Sequence, residues 1–184
     1  AMLSTSVGFV GVAAAGNTAP NCSTVSYGGS GTSADPYRVE NVDQLQCIQN
    51  QGLSSHYELT QDIDASGTSS WNGGKGFDPI GAGLNIFSGT FDGNGYEISG
   101  LTIDRPNLDR VALFRQKSGP VGDLGTVRDL SVTGADVTGD SNVGIVVGLQ
   151  RDSGKIENVT VSGTVTGNKF VGGLAGGNQG IITE

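Results

Sequence analysis

Acidic side chains are the residues of this chain best suited to chemistry. Two carboxylates about 5–9.5 Å apart can hydrolyse a glycosidic bond. Spacing along the sequence offers two candidate pairs, Asp104 with Asp109 and Asp136 with Asp140. Nothing else marks either pair as convergent, and solvated acids in loops are common. We therefore expect no enzyme activity and keep a carbohydrate-active enzyme fragment, a polysaccharide lyase or glycosidase, as the alternative.

Metal ligation is the second chemistry that the residue types permit. Asp62, Asp64 and Asp92 offer carboxylate oxygens of the kind that Ca²⁺ prefers, but no complete loop such as an EF-hand is present. Asp, Asn and Gly also favour turns, so we expect Asp62 to bond backbone groups and Asp92-Gly-Asn94-Gly to form a turn. His56 is the single histidine, with no second ligand at metal-binding spacing. We expect a surface or loop histidine, no metal and no cofactor.

The composition excludes several classes of partner. The 184 residues include 10 basic and 18 acidic side chains, a formal net charge of −8. Because no basic patch interrupts this acidity, we expect no binding to nucleic acid. No apolar run approaches the roughly 20 residues of a membrane span, so we expect no membrane insertion. Glycine occupies 32 positions, more than double its usual share, without the every-third-residue pattern of collagen.

Internal repeats decide the fold prediction. Three apolar–polar–apolar triplets recur at spacings of 29 residues: Leu101-Thr102-Ile103, Leu130-Ser131-Val132 and Val159-Thr160-Val161. Each triplet places two side chains on one face of a strand. Further matches recur at spacings of 26–29, slipping at glycine-rich corners. A period in this range indicates a stack in which each unit buries its face only against its neighbours.

The residues of the repeats favour strands. Val, Ile and Thr fill the repeats, and β-branched residues favour strands, whereas each frequent glycine costs roughly 1 kcal/mol in a helix. Two or three short strands per repeat fit one turn of a parallel β-helix. We predict an all-β, right-handed parallel β-helix (solenoid) with an N-terminal cap that contains one short α-helix. The predicted divisions are an N-terminal arm (1–27), the cap and first coils (28–97), and tandem coils (98–184) that continue beyond the chain end.

The cap helix has clear start and stop signals. Asn41 is an N-cap residue with Gln44 three positions later, a capping-box pattern. Gly52 stands where a helix of two or three turns would end. The apolar residues of the segment recur every third position: Val42, Leu45 and Ile48. The sequence around it predicts strands at Tyr57–Thr60 and Phe87–Phe91, with a loop over Asp64–Gly83 that carries Trp71.

The two cysteines, Cys22 and Cys47, form either a disulfide or two buried thiols. At about 100° per residue, Cys47 lies roughly 160° from the centre of the helix's apolar face, so its sulfur points toward whatever crosses outside the helix. Cys22, in the N-terminal arm, is the available partner. We favour the disulfide, because other features of the sequence are typical of extracellular proteins.

Three segments recur in order along the chain: GTFDGNGYEISGLTI (89–103), NVGIVVGLQRDSGKIENVTVSGTVTG (142–167) and FVGGLAGGNQGII (170–182). Together these segments resemble the GLUG-motif repeats of bacterial and archaeal surface proteins. The earlier stretches 29–48, 57–64 and 77–81 resemble the capping segment that commonly precedes such repeats. The resemblance covers about residues 28–184, although Val111–Phe114 replaces an expected glycine-rich match.

The GLUG family includes adhesin-like proteins and β-helical regions attached to IgA-specific metallopeptidases. The resemblance implies a non-enzymatic extracellular module at the cell surface, adhesin-like or structural, in attachment or in filament and surface-layer building. It implies as partners a host or cell-surface glycan or protein, or copies of the chain itself. Because the repeat is a scaffold with many uses, it identifies no particular ligand.

Two sequons make glycosylation candidates of Asn21 and Asn158. Asn158 precedes Val159, which we place inward, so we expect the Asn158 side chain to be exposed.

The segment Leu3–Ala15 has the apolar run and small-residue ending of a signal-peptide tail, without a preceding basic stretch. Its candidate residues for self-association are Leu3, Val7, Phe9, Val10 and Val12. Two interpretations stay open. In the preferred one the segment packs on its own cap and the natural protein continues past Glu184; in the other it adds as a strand to the open edge of a neighbouring chain.

Overall fold

The computed structural model describes residues 18–81, 85–118, 125–151 and 154–184. These residues are mostly β, which confirms the all-β prediction, with helix α1 at Val42–Gln51 and 3-10 helices at Cys22–Thr24 and Ser66–Gly73. The strands are β1 (Tyr37–Val39), β2 (His56–Leu59), β3 (Ile63–Asp64), β4 (Thr90–Asp92), β5 (Glu97–Ser99), β6 (Thr102–Asp104), β7 (Phe114–Lys117), β8 (Thr126–Thr138), β9 (Ser141–Val143), β10 (Val147–Gln150), β11 (Lys155–Thr166), β12 (Lys169–Val171), β13 (Ala175–Asn178) and β14 (Ile181–Thr183).

The strands form three sheets, and every pair of these strands is parallel. The large sheet has the order β1-β2-β4-β8-β11-β14, with β3, β5 and β6 beside this path. A second sheet has the order β13-β10-β7, and a third pairs β12 with β9. From β8 onward the chain visits the large, two-stranded and three-stranded sheets in turn, and β11, β12 and β13 repeat that order before β14. We call one such passage a circuit.

The parallel strands pair in register, so their inward apolar side chains stack in columns. Val127 pairs with Phe91 on one side and Ile156 on the other. Val132 likewise lies between Ile98 and Val161. Side chains in such columns bury their surface against the circuits above and below.

The predicted alignment of the first triplet is wrong. Ile103 pairs with Val137, 34 residues later, and not with Val132. The chain takes nine residue steps from Lys117 to Thr126 but only five over the equivalent passage from Gln150 to Lys155, and these extra residues lengthen the spacing. Between β8 and β11 the 29-residue spacing does hold from Thr126 to Val132, and it becomes 28 residues after the register shift before Gly163. All six residues of the predicted ladder contribute to the core, but Val159 and Val161 are only partly buried.

Left-handed residues bend successive circuits at the same place. Asn94, Asp129 and Asn158 have φ angles of 50°, 50° and 49°, a conformation that Asn and Asp tolerate better than most residues. The bend interrupts the strand alternation, so that Val127 and Leu130 both point inward although they are three residues apart. The Asn158 side chain is exposed, as predicted. The reason is its left-handed conformation at this bend, and not simple alternation with Val159 along a straight strand.

Helix α1 begins and ends as predicted. The Asn41 side chain accepts a hydrogen bond from the Gln44 backbone N–H at 2.9 Å, and Gly52 is the C-cap. The Gln44 side chain reaches back to the backbone N–H of Glu40 at 2.7 Å, one residue before the capping-box position.

The N-terminal arm is fastened onto α1. A disulfide joins Cys22 to Cys47, the pairing that we favour from the sequence. The Tyr27 hydroxyl donates to the Gln44 carbonyl, and the Gln44 side chain donates to the Ser26 carbonyl at 2.8 Å. The arm therefore covers Cys47, which is 1% exposed.

The segment predicted as a loop over Asp64–Gly83 contributes to the core through a 3-10 helix. Trp71 is fully buried and stacks on Phe77, with ring centroids 6.4 Å apart. The predicted strand at Phe87–Phe91 is also corrected: β4 begins at Thr90, and Phe87 makes only an isolated bridge.

The column through Val132 generates a first prediction. Val132→Asp places a carboxylate in a fully buried apolar position, and we expect it to lower the free energy of unfolding by about 3 kcal/mol or more. Thr160→Asp is the matched control, because Thr160 is exposed in the adjacent strand, and its change should stay within about 0.5 kcal/mol. Urea denaturation followed by circular dichroism measures both values. Equal losses in the two variants would contradict the assigned columns.

The disulfide generates a second prediction. It closes a loop across a sequence separation of 25 residues, for which the chain-entropy account gives a contribution of about 3.5 kcal/mol. The double variant Cys22→Ala with Cys47→Ala should therefore unfold at clearly lower urea concentration. Non-reducing mass spectrometry after alkylation checks the bond itself. Two alkylated thiols in protein from an oxidising compartment would refute the pairing.

Candidate functional site

A polar groove of about 680 Å³ crosses the solvent-facing side of the large sheet. Its central residues come from β2, β4, β8 and β11: His56, Glu58, Thr90, Asp92, Thr126, Arg128, Lys155 and Glu157. These side chains alternate along each strand with inward apolar ones. The parallel register arranges them in two outward columns, one through Thr90 and one through Asp92.

The outward column through Asp92 pairs carboxylates with cations. The Arg128 guanidinium lies 2.5 Å from the Asp92 carboxylate, and its Nε donates to the same oxygen at 2.8 Å. Lys155 lies 2.8 Å from Glu157, and Arg38 lies 3.9 Å from Glu58. Each carboxylate of the groove thus has a cation beside it. The groove offers hydrogen-bonding and charged groups suited to a polar ligand.

The candidate metal ligands bond the protein's own backbone. Asp62 accepts from the Glu97 N–H at 2.9 Å, and Asp92 accepts from the Asn94 N–H at 2.9 Å. Hydrogen bonds from Ser66 lower the pKa of the Asp64 carboxyl. These hydrogen bonds agree with the expectation that Asp62 bonds backbone groups and that Asp92 belongs to a turn. Within residues 18–81, 85–118, 125–151 and 154–184, no three His, Cys, Asp or Glu residues are grouped to hold a metal.

None of the four acids in the predicted pairs lines the groove. Asp104 lies on β6 opposite Thr138, and Asp136 lies on β8 opposite Thr102. Asp140 accepts a hydrogen bond from the Asn168 amide at 2.6 Å. Asp109 is exposed in the turn before Arg110. His56, expected on the surface or in a loop, lies half-buried on β2 in the groove.

The two sequon asparagines are both exposed. Asn21 caps the first 3-10 helix by accepting from the Ser23 N–H at 3.2 Å. Asn158 donates its side-chain amide, the atom that a glycan would modify, to Asp129 at 2.7 Å. The self-association candidates at residues 3, 7, 9, 10 and 12 lie outside the described residues.

A buried polar cluster is a feature that the sequence analysis missed. Lys117 is fully buried on β7, where its ammonium donates to the Gly125 carbonyl. Burial lowers the pKa of Lys117 from 10.5 to about 7. Gln150, its register partner on β10, donates to the carbonyls of Gly154 at 2.8 Å and Ile181 at 3.0 Å. The sequence does not mark Lys117 as buried, because it is the last residue of a four-residue strand that is too short to show an alternation of apolar and polar residues.

An apolar edge is the second surface of interest. We define it as β12 and β14, the outermost strands of their sheets. Four of the five exposed large hydrophobic residues in the described part of the chain lie on these strands: Phe170, Val171, Ile181 and Ile182.

Comparison with known proteins gives two relatives. Halomucin of Haloquadratum walsbyi is 44% identical over 160 residues, which cover 85% of this chain and 2% of Halomucin. A protein of Evansella cellulosilytica, whose name describes it as a Gly-rich membrane protein, is 38% identical over 141 residues, 76% of this chain and 16% of that protein. The chain thus spans a small part of either relative. No family model matches the chain, and no solved structure matches it.

Across the described ranges, no helix has both the length and the apolar character needed to cross a membrane.

The buried lysine generates a third prediction. In the unfolded chain Lys117 keeps its proton up to about pH 10.5, whereas the folded protein releases it near pH 7. Between these values the unfolded state binds more protons, so stability rises with pH, by at most about 1.4 kcal/mol per pH unit. Lys117→Met should remove this rise when urea denaturation is repeated from pH 7 to pH 9.

The control for this prediction is Lys155→Met, because Lys155 lies in the solvent-facing groove. That variant should retain the wild-type dependence of stability on pH. An unchanged slope in Lys117→Met would contradict the account of a buried amine.

Proposed function

We propose that this chain is a module of a secreted or cell-surface protein, where it acts as an adhesin-like or structural scaffold. The observation that carries the proposal is the stack of circuits with outward polar columns, found in a sequence similar to part of Halomucin and part of a protein named as a membrane protein. Stacked repeats provide long surfaces for contact with partners.

We propose further that the three sheets close into a right-handed parallel β-helix of the GLUG-repeat kind. The fixed order in which the chain visits the sheets supports this architecture. The rings of Phe91 on β4 and Phe114 on β7 lie 5.4 Å apart, so the inner faces of the large and three-stranded sheets are in contact. Parallel crossovers are almost always right-handed.

An extracellular location is supported by the Cys22–Cys47 disulfide. Disulfides persist in oxidising compartments and are rare in the cytosol. The exposed positions of Asn21 and Asn158 are compatible with glycosylation on such a protein.

The scaffold role is favoured over catalysis by the electrostatics of the groove. A glycosidase needs one carboxyl that gives up a proton and a second that acts as base or nucleophile. In the groove the Asp92 carboxylate is bound by the Arg128 guanidinium and the Glu157 carboxylate by the Lys155 ammonium, so both carboxylates are engaged by the protein's own cations. The groove groups are instead arranged as hydrogen-bonding and charged contacts for a glycan or protein surface.

A carbohydrate-active enzyme is the second candidate function. It is favoured by one observation: His56, Glu58 and Asp92 lie together in the groove. Their neighbours on β8 and β11 extend the polar surface in the direction of the stack.

Two measurements test the proposed function and generate a fourth prediction. Antibodies against the purified chain should label intact cells of its source, and labelling only after permeabilisation would contradict a surface role. Neutral and acidic polysaccharides incubated with the chain should release no new reducing ends or unsaturated products.

Turnover that is lost in Glu58→Gln or Asp92→Asn, and retained in Glu40→Gln outside the groove, would establish the enzyme instead. The Glu40 variant is the matched control, because it removes an exposed carboxylate that does not line the groove.

A further inference from the structure

A separate cavity, of about 430 Å³, lies at the turn that follows β6. It is lined by Lys75 and by residues 104–108, and it shares no lining residue with the polar groove. We call it the turn pocket. Its volume falls within the range of roughly 300–1,000 Å³ that is usual for small-molecule sites. Asp104, a candidate acid of the sequence analysis, belongs to this pocket.

The turn that forms the pocket is longer than stacking requires. From Asp104 to Val111 the chain takes seven residue steps. The register partners of these two residues, Thr138 and Val143, are only five steps apart, and the following circuit also takes five over residues 166–171. The later circuits therefore stack without the two extra residues. Insertions of this kind in repeat proteins map to loops on one face, which is often the binding face.

Backbone hydrogen bonds hold this turn in place. The Leu108 N–H donates to the Arg105 carbonyl at 2.9 Å, which closes a turn with Pro106 at its second position, where the fixed φ of proline is suited. The Arg105 N–H donates to the Thr138 carbonyl of the next circuit at 2.9 Å. The Asp140 N–H of that circuit donates to the Leu108 carbonyl at 2.9 Å. Because the wall is fixed in advance, little of it has to be ordered when a ligand binds.

The pocket holds opposite charges that are not paired with each other. The Asp104 N–H donates to the Lys75 carbonyl at 3.0 Å, so the two residues are neighbours. Among the described residues, neither the Lys75 ammonium nor the Asp104 carboxylate has an ion-pair partner. The ammonium and the carboxylate are therefore both available to a ligand.

The same pocket combines an apolar side with hydrogen-bonding groups. Pro106 is exposed and Leu108 is half-buried, so both leave apolar surface at the lining. Beside them the Asp104 carboxylate offers acceptors, and the Asn107 amide offers both donors and acceptors. A sugar ring matches this combination, because its C–H faces are apolar and its hydroxyl groups lie around the edge.

The cations of the pocket narrow the class of sugar. The lining contains two of them, Lys75 and Arg105. The Arg105 guanidinium lies 3.2 Å from the Asp78 carboxylate and is already engaged, so the Lys75 ammonium is the group that would bind an anion. A carboxylate on the sugar would form a charge-assisted hydrogen bond with this ammonium, and such bonds are stronger than those of a neutral hydroxyl.

We propose that the turn pocket binds a uronic acid unit of a glycan. The sugar ring packs against Pro106 and Leu108. Its hydroxyl groups bond to Asp104 and Asn107, and its carboxylate bonds to Lys75. This site goes beyond the proposed surface function, and binding by the purified chain does not depend on where the protein is located.

Titration of the isotope-labelled full chain with a sugar, followed by nuclear magnetic resonance of its backbone amides, tests the proposal. The probes are methyl glucuronide and methyl glucoside, which differ only in a carboxylate that replaces a hydroxymethyl group. The glucuronide should shift the amide signals of Lys75, Asn107 and Leu108. It should bind about fivefold more tightly than the glucoside, the upper end of what an exposed ion pair contributes. Equal affinity for the two probes, or shifts only in the strands of the polar groove, would overturn the proposal.

Three variants assign the contacts to particular groups. Lys75→Met should lower the affinity for the glucuronide to that for the glucoside. Lys169→Met is the matched control, because it removes an exposed lysine outside the pocket, and it should keep the wild-type preference. Asp104→Ala should weaken binding of the uncharged glucoside, since it removes an acceptor for the hydroxyl groups. An unchanged affinity for the glucuronide in Lys75→Met, or no shift of the wild-type signals with either probe, would contradict the assigned site.

Discussion

In-register pairing between successive circuits is the interaction on which the rest of this molecule depends. Strand β11 pairs with β8 over most of its length and with β14 on its other side. The spatial neighbours of a residue are therefore found about one circuit away along the chain. Because each circuit buries its inward face only against other circuits, stability is a sum of neighbouring contacts.

In-register pairing places the residues in columns, and each kind of column has its own requirement for residue type. Inward columns, such as the one through Val127, have to remain apolar. Corner columns need residues that tolerate a left-handed backbone, as Asp129 and Asn158 do. Outward columns are free of both requirements, and in the groove around Asp92 they hold charged and hydrogen-bonding side chains.

Features that depend on local chemistry were predictable from the sequence. Asn41 and Gly52 delimit α1 as their types predict, and the repeat between β8 and β11 follows from its 29-residue period. Features that depend on turn length or on distant packing were not. Extra residues in the connections shifted the pairing partner of Ile103 from Val132 to Val137. The burial of Trp71 depends on packing against Phe77. The burial of Lys117 could not be predicted, because its strand is too short to show an alternation of apolar and polar residues.

The stacking of circuits is tested most directly by nuclear Overhauser contacts between backbone protons of paired strands. The account predicts a parallel pattern that links Val127 with Ile156 in the large sheet and Val147 with both Phe114 and Ala175 in the three-stranded sheet. An antiparallel pattern, or contacts displaced by one or more residues along these strands, would contradict it.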